Sequence, residues 1–196
     1  MSFSLLLFPS RIRRDFLFMT MYYIAQVLPQ SLNEKILPYK QMMFEKFGAR
    51  VGLKSPAHIT FVPPYYMNSD LESDLVVKLN ALSSAIDPFP IRTNNFNAFK
   101  LKTIFIDVIV DEPLLILKKE ADGFFETKPQ YAMKLDRRPF HPHITIATRD
   151  FSKKTFFEVY PYFEKQIFEE TWVANGLSLL RHNQKKWDVI HTSHFK

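Results

Sequence analysis

The tripeptide His-Ile-Thr occurs twice in this sequence of 196 residues, once in each half, at positions 58–60 and 143–145. Isoleucine and threonine favour β-strands, and successive side chains of a strand point to opposite faces of its sheet. Each copy therefore predicts an imidazole and a hydroxyl on one face, with the isoleucine directed into the core. A single copy is adequately explained as ordinary strand sequence, but its repetition in two half-chains favours a functional site.

Two imidazoles and two hydroxyls suit acid–base chemistry on a phosphate ester. Histidine has an unperturbed pKa of about 6.5, so its neutral and charged forms coexist near neutral pH. If His58 and His143 lie together, one can take a proton from water or a hydroxyl while the other protonates the departing ribose oxygen. Thr60 and Thr145 can then donate to the non-bridging oxygens as negative charge develops on them. We predict that these four residues form the catalytic site.

The composition limits the other kinds of chemistry. The sequence has no cysteine, which excludes disulfides, thiolate catalysis and cysteine-ligated zinc and favours a cytoplasmic protein. Its four glycines do not form the clustered pattern of a P-loop or a dinucleotide-binding site, and we expect no cofactor. The formal net charge of +6 is compatible with a polyanionic partner such as RNA.

Hydrophobic periodicity predicts an α+β fold, in which the second half of the chain loosely repeats the order of the first. We expect two similar lobes with antiparallel sheets, and we expect Pro63-Pro64 to end the second strand. The predicted helices begin at Ser31 or span 70–86, 112–125 and 152–166. The predicted strands are 22–28, 58–62, 89–99, 103–110, 143–147, and 171–181 with 186–195 as a terminal hairpin.

The first 20 residues differ from the rest. An apolar run from Phe3 to Phe8 is interrupted by Pro9 and followed by three arginines, so it fits neither a membrane span nor a secretory signal. We interpret residues 1–20 as an appendage, with Met19 or Met21 as an alternative start, and residues 21–196 as a single domain. We expect no membrane association and a monomer.

With both motifs present, the sequence resembles the 2H phosphoesterase superfamily, whose signature is two His-x-Thr/Ser motifs. It is most similar to the bacterial RNA 2′,3′-cyclic phosphodiesterases, also named 2′-5′ RNA ligases. The likeness runs from Tyr22 to Phe195 and includes Pro142 and the closing hairpin from Trp172 to His194.

This resemblance implies a bilobal fold with pseudo-two-fold symmetry and a central cleft. It implies catalytic roles for both motifs without a metal, and RNA ends or small nucleotide phosphodiesters as substrates. The expected reaction is hydrolysis, ATP-independent ligation, or both. By analogy with the family, His143 is the base that activates water and His58 is the acid.

The chain departs from the family pattern beside the second motif. Many members carry an arginine five residues after the second histidine, where this sequence has Thr148. Arg149 follows, and strand alternation would place it on the face of His143 and Thr145. The predicted substrate-binding residues are Arg149, Arg138, Lys54 and Tyr22, and the weaker candidates are Lys100, Lys102, Arg137, Phe61 and Phe140.

Two other interpretations stay open. The spacing of His141 and His143, with His191 and His194 later in the chain, would also suit a metal site, although zinc usually needs three or four convergent ligands. The chain could alternatively be a non-catalytic RNA-binding module, or a phosphodiesterase of a small cyclic nucleotide. Turnover of a cyclic-phosphate nucleotide distinguishes an enzyme from a binding module.

Overall fold

A computed structural model describes residues 19–133, 135–136 and 138–196. These residues form one eight-stranded antiparallel sheet with strand order β6-β3-β4-β5-β2-β1-β7-β8, together with four α-helices. In chain order the elements are β1 (Met19–Val27), α1 (Gln30–Phe47), β2 (His58–Asn68), α2 (Glu72–Ser83), β3 (Phe89–Phe99), β4 (Thr103–Val108), α3 (Glu112–Glu126), β5 (His143–Thr148), α4 (Lys153–Phe163), β6 (Thr171–Ala174), β7 (Gly176–His182) and β8 (Trp187–His194).

The strand order has an internal two-fold symmetry. The two strands that carry the motifs, β2 and β5, lie side by side at the centre and pair through Ile59 and Ile144. Three further strands extend the sheet on each side, with β4 beside β5 and β1 beside β2. The predicted α+β fold with two pseudo-symmetric halves is confirmed, and the two halves share one continuous sheet.

Helices cover one face of this sheet. In α1, Leu32, Ile36 and Met43 are buried at helical spacing, and they join a core that contains Ile59 and Ile144, both fully buried. Full burial of one such side chain is worth roughly 1.5–3 kcal/mol. Because strand side chains alternate, burial of the two isoleucines directs their histidine and threonine neighbours to the opposite face of the sheet.

Both central strands contain a β-bulge at the same place in the motif. Thr60 and Val62 pair with consecutive residues of β1, so Phe61 is the extra residue of β2. In the same way, Thr145 and Ala147 pair with consecutive residues of β4, so β5 has its extra residue between them. A bulge reverses the alternation of side chains beyond it. In each strand, the residue five positions after the histidine therefore returns to the face of the histidine.

The predicted end of the second strand is wrong. β2 continues through Pro63 and Pro64 to Asn68. The prolines are tolerated because β5 pairs with β2 only at Ile59, and because the register with β1 shifts opposite them, between Tyr22 and Ile24. Proline has no N–H to donate to a ladder, so it is confined to unpaired or irregular parts of strands.

The segment 171–181 is two strands and not the single arm of a hairpin that we predicted. β6 pairs with β3 and β7 pairs with β1, on opposite sides of the sheet's centre. The chain crosses between them at Gly176, where an added Cβ would lie 2.6 Å from the carbonyl oxygen of Ser193. The hairpin itself is formed by β7 and β8.

The N-terminal boundary also differs from the prediction. Met19 and Thr20 belong to β1, where they pair with Asn68 and Met67, so the first strand begins before Tyr22. The rest of the predicted appendage, residues 1–18, lies outside the described residues. In the part of the chain that the structure describes, no helix combines the length and the apolar character that a membrane span needs.

The packing of the turn before the first motif against the strand of the second motif can be tested at one glycine. Gly52 lies in a short 3₁₀ turn, Val51–Lys54, that packs against the bulge of β5, and an added Cβ would overlap the carbonyl oxygen of Ile146. We expect Gly52→Ala to lower the free energy of unfolding by roughly 1–3 kcal/mol, because a main-chain atom cannot move aside as a flexible side chain can.

The matched control is Gly123→Ala in α3, where an added Cβ meets nothing within 4 Å. This change should raise the free energy of unfolding by about 1 kcal/mol, since alanine favours a helix more than glycine does. Urea unfolding of both variants measures the two effects. Equal stability of Gly52→Ala and the unaltered protein would contradict the packing described here.

Candidate functional site

The four motif side chains lie on one face at the centre of the sheet. The antiparallel pairing of Ile59 with Ile144 sets His58 beside Thr145 and Thr60 beside His143. All four side chains are half-buried, in contrast to the buried isoleucines between them. The pairing places two imidazoles and two hydroxyls side by side on one face of the sheet.

Each imidazole is oriented by a main-chain carbonyl two residues before it. Nδ1 of His58 lies 2.7 Å from the oxygen of Pro56, and Nδ1 of His143 lies 2.8 Å from the oxygen of His141. A carbonyl only accepts hydrogen bonds, so Nδ1 carries the proton in both rings. The neutral imidazoles therefore present an unprotonated Nε2, which acts as a base when free and as an acid once protonated.

Helix α1 fixes the loop that orients His58. The side chain of Asn33 donates to the carbonyl of Leu28 and accepts the N–H of Ala57. The Nζ of Lys40, a side chain that is almost fully buried, donates to the carbonyl of Ser55 at 3.2 Å. These bonds satisfy main-chain groups on both sides of Pro56, so its carbonyl is held in place by the helix rather than by the loop alone.

The surroundings favour the neutral form of both histidines, because they lower the pKa of each ring. Burial lowers the pKa of His58 to about 4, with smaller contributions in the same direction from Lys40 and His143, while the bond to Pro56 opposes them. Burial also lowers the pKa of His143, and the carbonyl of His141 opposes this change. An anion placed between the rings would favour their charged forms, because a nearby opposite charge stabilises the protonated imidazole.

Aromatic rings support each histidine from its own half of the sheet. The ring of Tyr23 lies 4.9 Å from that of His58, and Trp187 of β8 packs edge-on against Tyr23 at 4.6 Å. In the other half, Phe99 and Phe105 lie 5.0 and 5.1 Å from the ring of His143. The sequence analysis missed Tyr23, although strand alternation from the buried Ile24 would have placed it on this face.

Of the histidines in the metal hypothesis, His141 and His143 are neighbours, with ring centroids 6.4 Å apart, whereas His191 lies on the other side of the sheet. His141 donates from Nε2 to Asp107 at 2.9 Å, and His191 bonds to Asn80 of α2, on the helix-covered side of the sheet. Among the residues that the structure describes, no three histidine, cysteine, aspartate or glutamate side chains converge as a metal site requires.

The alternation argument for Arg149 is wrong. β5 ends at Thr148, and Arg149 adopts a left-handed conformation with φ of 69°. Because of the bulge, Thr148 and not Arg149 shares the face of His143, and its hydroxyl is 2.7 Å from that of Thr103 on β4. Thr148 therefore takes the position on the histidine face that strand alternation had assigned to Arg149.

Arg149 instead joins a group of exposed cations at the end of β5. Its N–H donates to the carbonyl of Lys102 at 3.1 Å, in the turn that also contains Lys100. All three side chains are exposed. This basic edge, formed by Lys100, Lys102 and Arg149, lies beyond Thr148 and Thr103 at the same end of the histidine face.

The other predicted substrate-binding residues lie elsewhere. Tyr22 is fully buried on the helix side, where its hydroxyl donates to Glu72, so its ring cannot stack on a base. Lys54 is exposed at the end of the turn that packs on β5. Arg138 pairs with Asp136 and lines a groove of about 820 Å³ beside α3, which neither His58 nor His143 lines.

Of the weaker candidates, Lys100 and Lys102 belong to the basic edge, and the two phenylalanines lie on the helix side of the sheet. Phe61 is buried in the core and packs against Phe140 at 5.6 Å on the helix side. Arg137 lies outside the described residues.

Comparison with known proteins shows the family and the fold. Residues 29–186 match the family model of the 2′-5′ RNA ligase superfamily. The fold is similar to TT0787 of Thermus thermophilus, with a TM-score of 0.64 and 16% identity over 89% of this chain and 97% of that one.

It is also similar to E. coli LigT in complex with 3′-AMP, with a TM-score of 0.63 and 15% identity over 91% and 99% of the two chains. The phosphodiesterase domain of MHV ns2 is a more distant likeness, with a TM-score of 0.53 and 12% identity over 83% and 99%. Among curated proteins, none matches the sequence. The family match over most of the chain shows that this protein belongs to the 2′-5′ RNA ligase superfamily of 2H phosphoesterases.

Proposed function

We propose that this protein is a metal-independent phosphoesterase that acts on 2′,3′-cyclic phosphates or 2′-5′ linkages at RNA ends. The observation that carries the proposal is the pair of imidazoles on one face, each locked by a carbonyl at Nδ1 with Nε2 available for proton transfer. Membership of the superfamily supports an enzyme of this class. E. coli LigT has been crystallised with 3′-AMP, ATP and NADP⁺, which supports a nucleotide-containing ligand here.

The proposed reaction needs one neutral and one charged imidazole. Binding of the anionic phosphate between His58 and His143 raises the proton affinity of both rings, so that one of them is protonated near neutral pH. The neutral ring takes a proton from the attacking water as the oxygen bonds to phosphorus. The charged ring gives its proton to the ribose oxygen as the P–O bond breaks. Ligation follows the same path with a ribose hydroxyl in place of water: its oxygen bonds to phosphorus, the ring P–O bond breaks, and the departing ribose oxygen takes the proton.

The threonines and the basic edge complete this proposal. Thr60 and Thr145 stabilise the equatorial oxygens by donating hydrogen bonds without adding a charge that would change the proton affinity of the histidines. The basic edge of Lys100, Lys102 and Arg149 is suited to the neighbouring phosphates of a longer RNA. A nucleotide with one cyclic phosphate would need only the histidine face.

The central test of this function is substitution of the histidines. We expect His58→Ala and His143→Ala each to lower turnover of a 2′,3′-cyclic-phosphate dinucleotide by about 10²–10⁴-fold, because each removes one proton-transfer group. The double variant should be little slower than either single one, since both groups act on one transition state. The control is His194→Ala at an exposed position of β8, which should retain full activity.

The assay is run in EDTA, with circular dichroism to check folding. Near-normal turnover by either single variant would overturn the two-histidine mechanism. Loss of all activity in EDTA, restored by zinc, would favour the metal hypothesis instead. Tight binding of RNA without turnover of any phosphoester would favour the non-catalytic module.

The neutral state of His58 predicts a pH dependence of stability. Its pKa falls from 6.5 to about 4 on folding, so the unfolded chain binds the proton more tightly. The contribution of the neutral His58 to the free energy of unfolding is complete above about pH 6.5. It is lost as the pH falls from there to about 4. We expect the free energy of unfolding from urea titrations to fall less steeply over this range in His58→Gln than in the unaltered protein.

The control variant His194→Gln should keep the steep dependence, because its side chain is exposed. Parallel curves for His58→Gln and the unaltered protein would show that His58 is not held neutral by the fold.

A further inference from the structure

The two halves of the site are not electrostatically equivalent. The pseudo-two-fold axis relates β2 to β5 and β1 to β4, so the residue opposite each histidine can be compared. Val27 pairs with His58, whereas Asp107 pairs with His143. Directly opposed residues of an antiparallel pair share a face, so the carboxylate lies on the catalytic face and its counterpart is a methyl-bearing side chain.

The residues whose carbonyls orient the two histidines also differ in whether their side chains can carry a charge. Pro56 orients His58 and has no ionisable side chain, whereas His141 orients His143 and also bonds to Asp107 at 2.9 Å. At both positions, the residue opposite the histidine and the residue two places before it, the side chain is apolar in the half with β2 and ionisable in the half with β5. The main-chain pairing and the bond to the carbonyl are the same in both halves at these positions, and the side chains differ.

A proton on His58 meets no compensating negative charge. The groups that face it are the buried phenol of Tyr23 and Val27 from β1, the buried cation Lys40 from α1, and His143 from β5. Among the described residues, no carboxylate contributes to the charge balance of this ring. Lys40 opposes its protonation, and so does His143 when that ring is charged.

A proton on His143 has different neighbours. The groups that face it are Asp107 from β4, the imidazole of His141 from the preceding loop, and the rings of Phe99 and Phe105. Burial lowers the pKa of His143 and the carbonyl of His141 raises it; charge on the His141 ring also lowers it, and Asp107 raises it by a smaller amount. The carboxylate also accepts a bond from Asn97 at 3.4 Å, which fixes it on this face.

We propose that Asp107 is a positioning residue that breaks the symmetry of the site, so that His143 carries the proton and acts as the acid while His58 acts as the base. This inference rests on the proposed function and deepens it. In hydrolysis, His58 Nε2 takes a proton from water as its oxygen bonds to phosphorus. The bond from phosphorus to the ribose oxygen breaks, and His143 Nε2 supplies the proton that this oxygen takes.

The products together contain one added water, and exchange with solvent returns both rings to their starting states. This assignment is the reverse of the one that family analogy suggests, in which His143 is the base. The reason lies in this chain's own residues, since only His143 has a carboxylate opposite it.

The order of protonation can be measured without turnover. Long-range ¹H–¹⁵N NMR titration of the imidazoles in the ligand-free protein should show His143 protonating at a higher pH than His58. Asp107→Asn should move the titration of His143 down by roughly 0.5–1 pH unit, because a neutral amide no longer stabilises the charged ring. It should leave the titration of His58 nearly unchanged.

Two further substitutions should each raise the titration point of one histidine. His141→Asn removes the ring whose charge opposes protonation of His143 and should move the titration of His143 upward. Val27→Asp places a carboxylate at the symmetric position and should raise the titration of His58, with Val27→Asn as the uncharged control. If Val27→Asp fails to fold, the Asp107 and His141 variants still decide the matter.

Activity gives an independent readout. If His143 is the acid, Asp107→Asn should shift the basic limb of the kcat/KM profile to lower pH, because this limb reports loss of the acid's proton. A higher titration point for His58 than for His143, or a basic limb unaffected by Asp107→Asn, would overturn the inference. Absence of turnover with every phosphoester would instead overturn the proposed function and leave the NMR order to stand alone.

Discussion

The antiparallel contact between β2 and β5 at Ile59 and Ile144 is the constraint on which the rest of the site depends. Burial of both isoleucines beneath the helices forces the residues on either side of each one to the opposite face. The contact joins two halves that each bring one histidine and one threonine. A shift of one residue in this register would bury the histidines and expose the isoleucines, so the hydrophobic core itself determines which face the four motif side chains share.

The same burial also favours the neutral form of both imidazoles. Half-buried imidazoles lose solvation and become neutral, and the carbonyls of Pro56 and His141 then fix the tautomer with Nε2 open. In the proposed mechanism, a bound phosphate supplies the negative charge that restores a proton to one ring. Substrate binding and activation of the acid are in this view a single electrostatic event.

Much of the fold and of the candidate site could be predicted from the sequence. The repeated motif has period-two geometry, and the helices show clear hydrophobic spacing, so the α+β fold and the four motif residues follow from local patterns. The family resemblance added the pseudo-symmetry. The aromatic support of His58 by Tyr23 was also within reach, because alternation from Ile24 places Tyr23 on that face.

The remaining features depend on long-range pairing. The bulges at Phe61 and Ile146 are visible only once β1 and β4 are aligned with their partners, and they decide that Thr148 rather than Arg149 faces the site. The continuation of β2 through Pro63 depends on which edges of the strand are left unpaired. The division of 171–181 into β6 and β7 depends on the two strands finding different partners, β3 and β1. No local sequence signal contains this information.

The central claim is that both imidazoles bind one phosphate group. The most direct measurement is an NMR titration of the ¹⁵N-labelled imidazoles with a 2′,3′-cyclic-phosphate nucleotide at constant pH. The account predicts that the Nε2 resonances of His58 and His143 shift together, with one common Kd, while those of His191 and His194 stay in place. Shifts of only one of the two rings, or of the two rings with different Kd values, would contradict it.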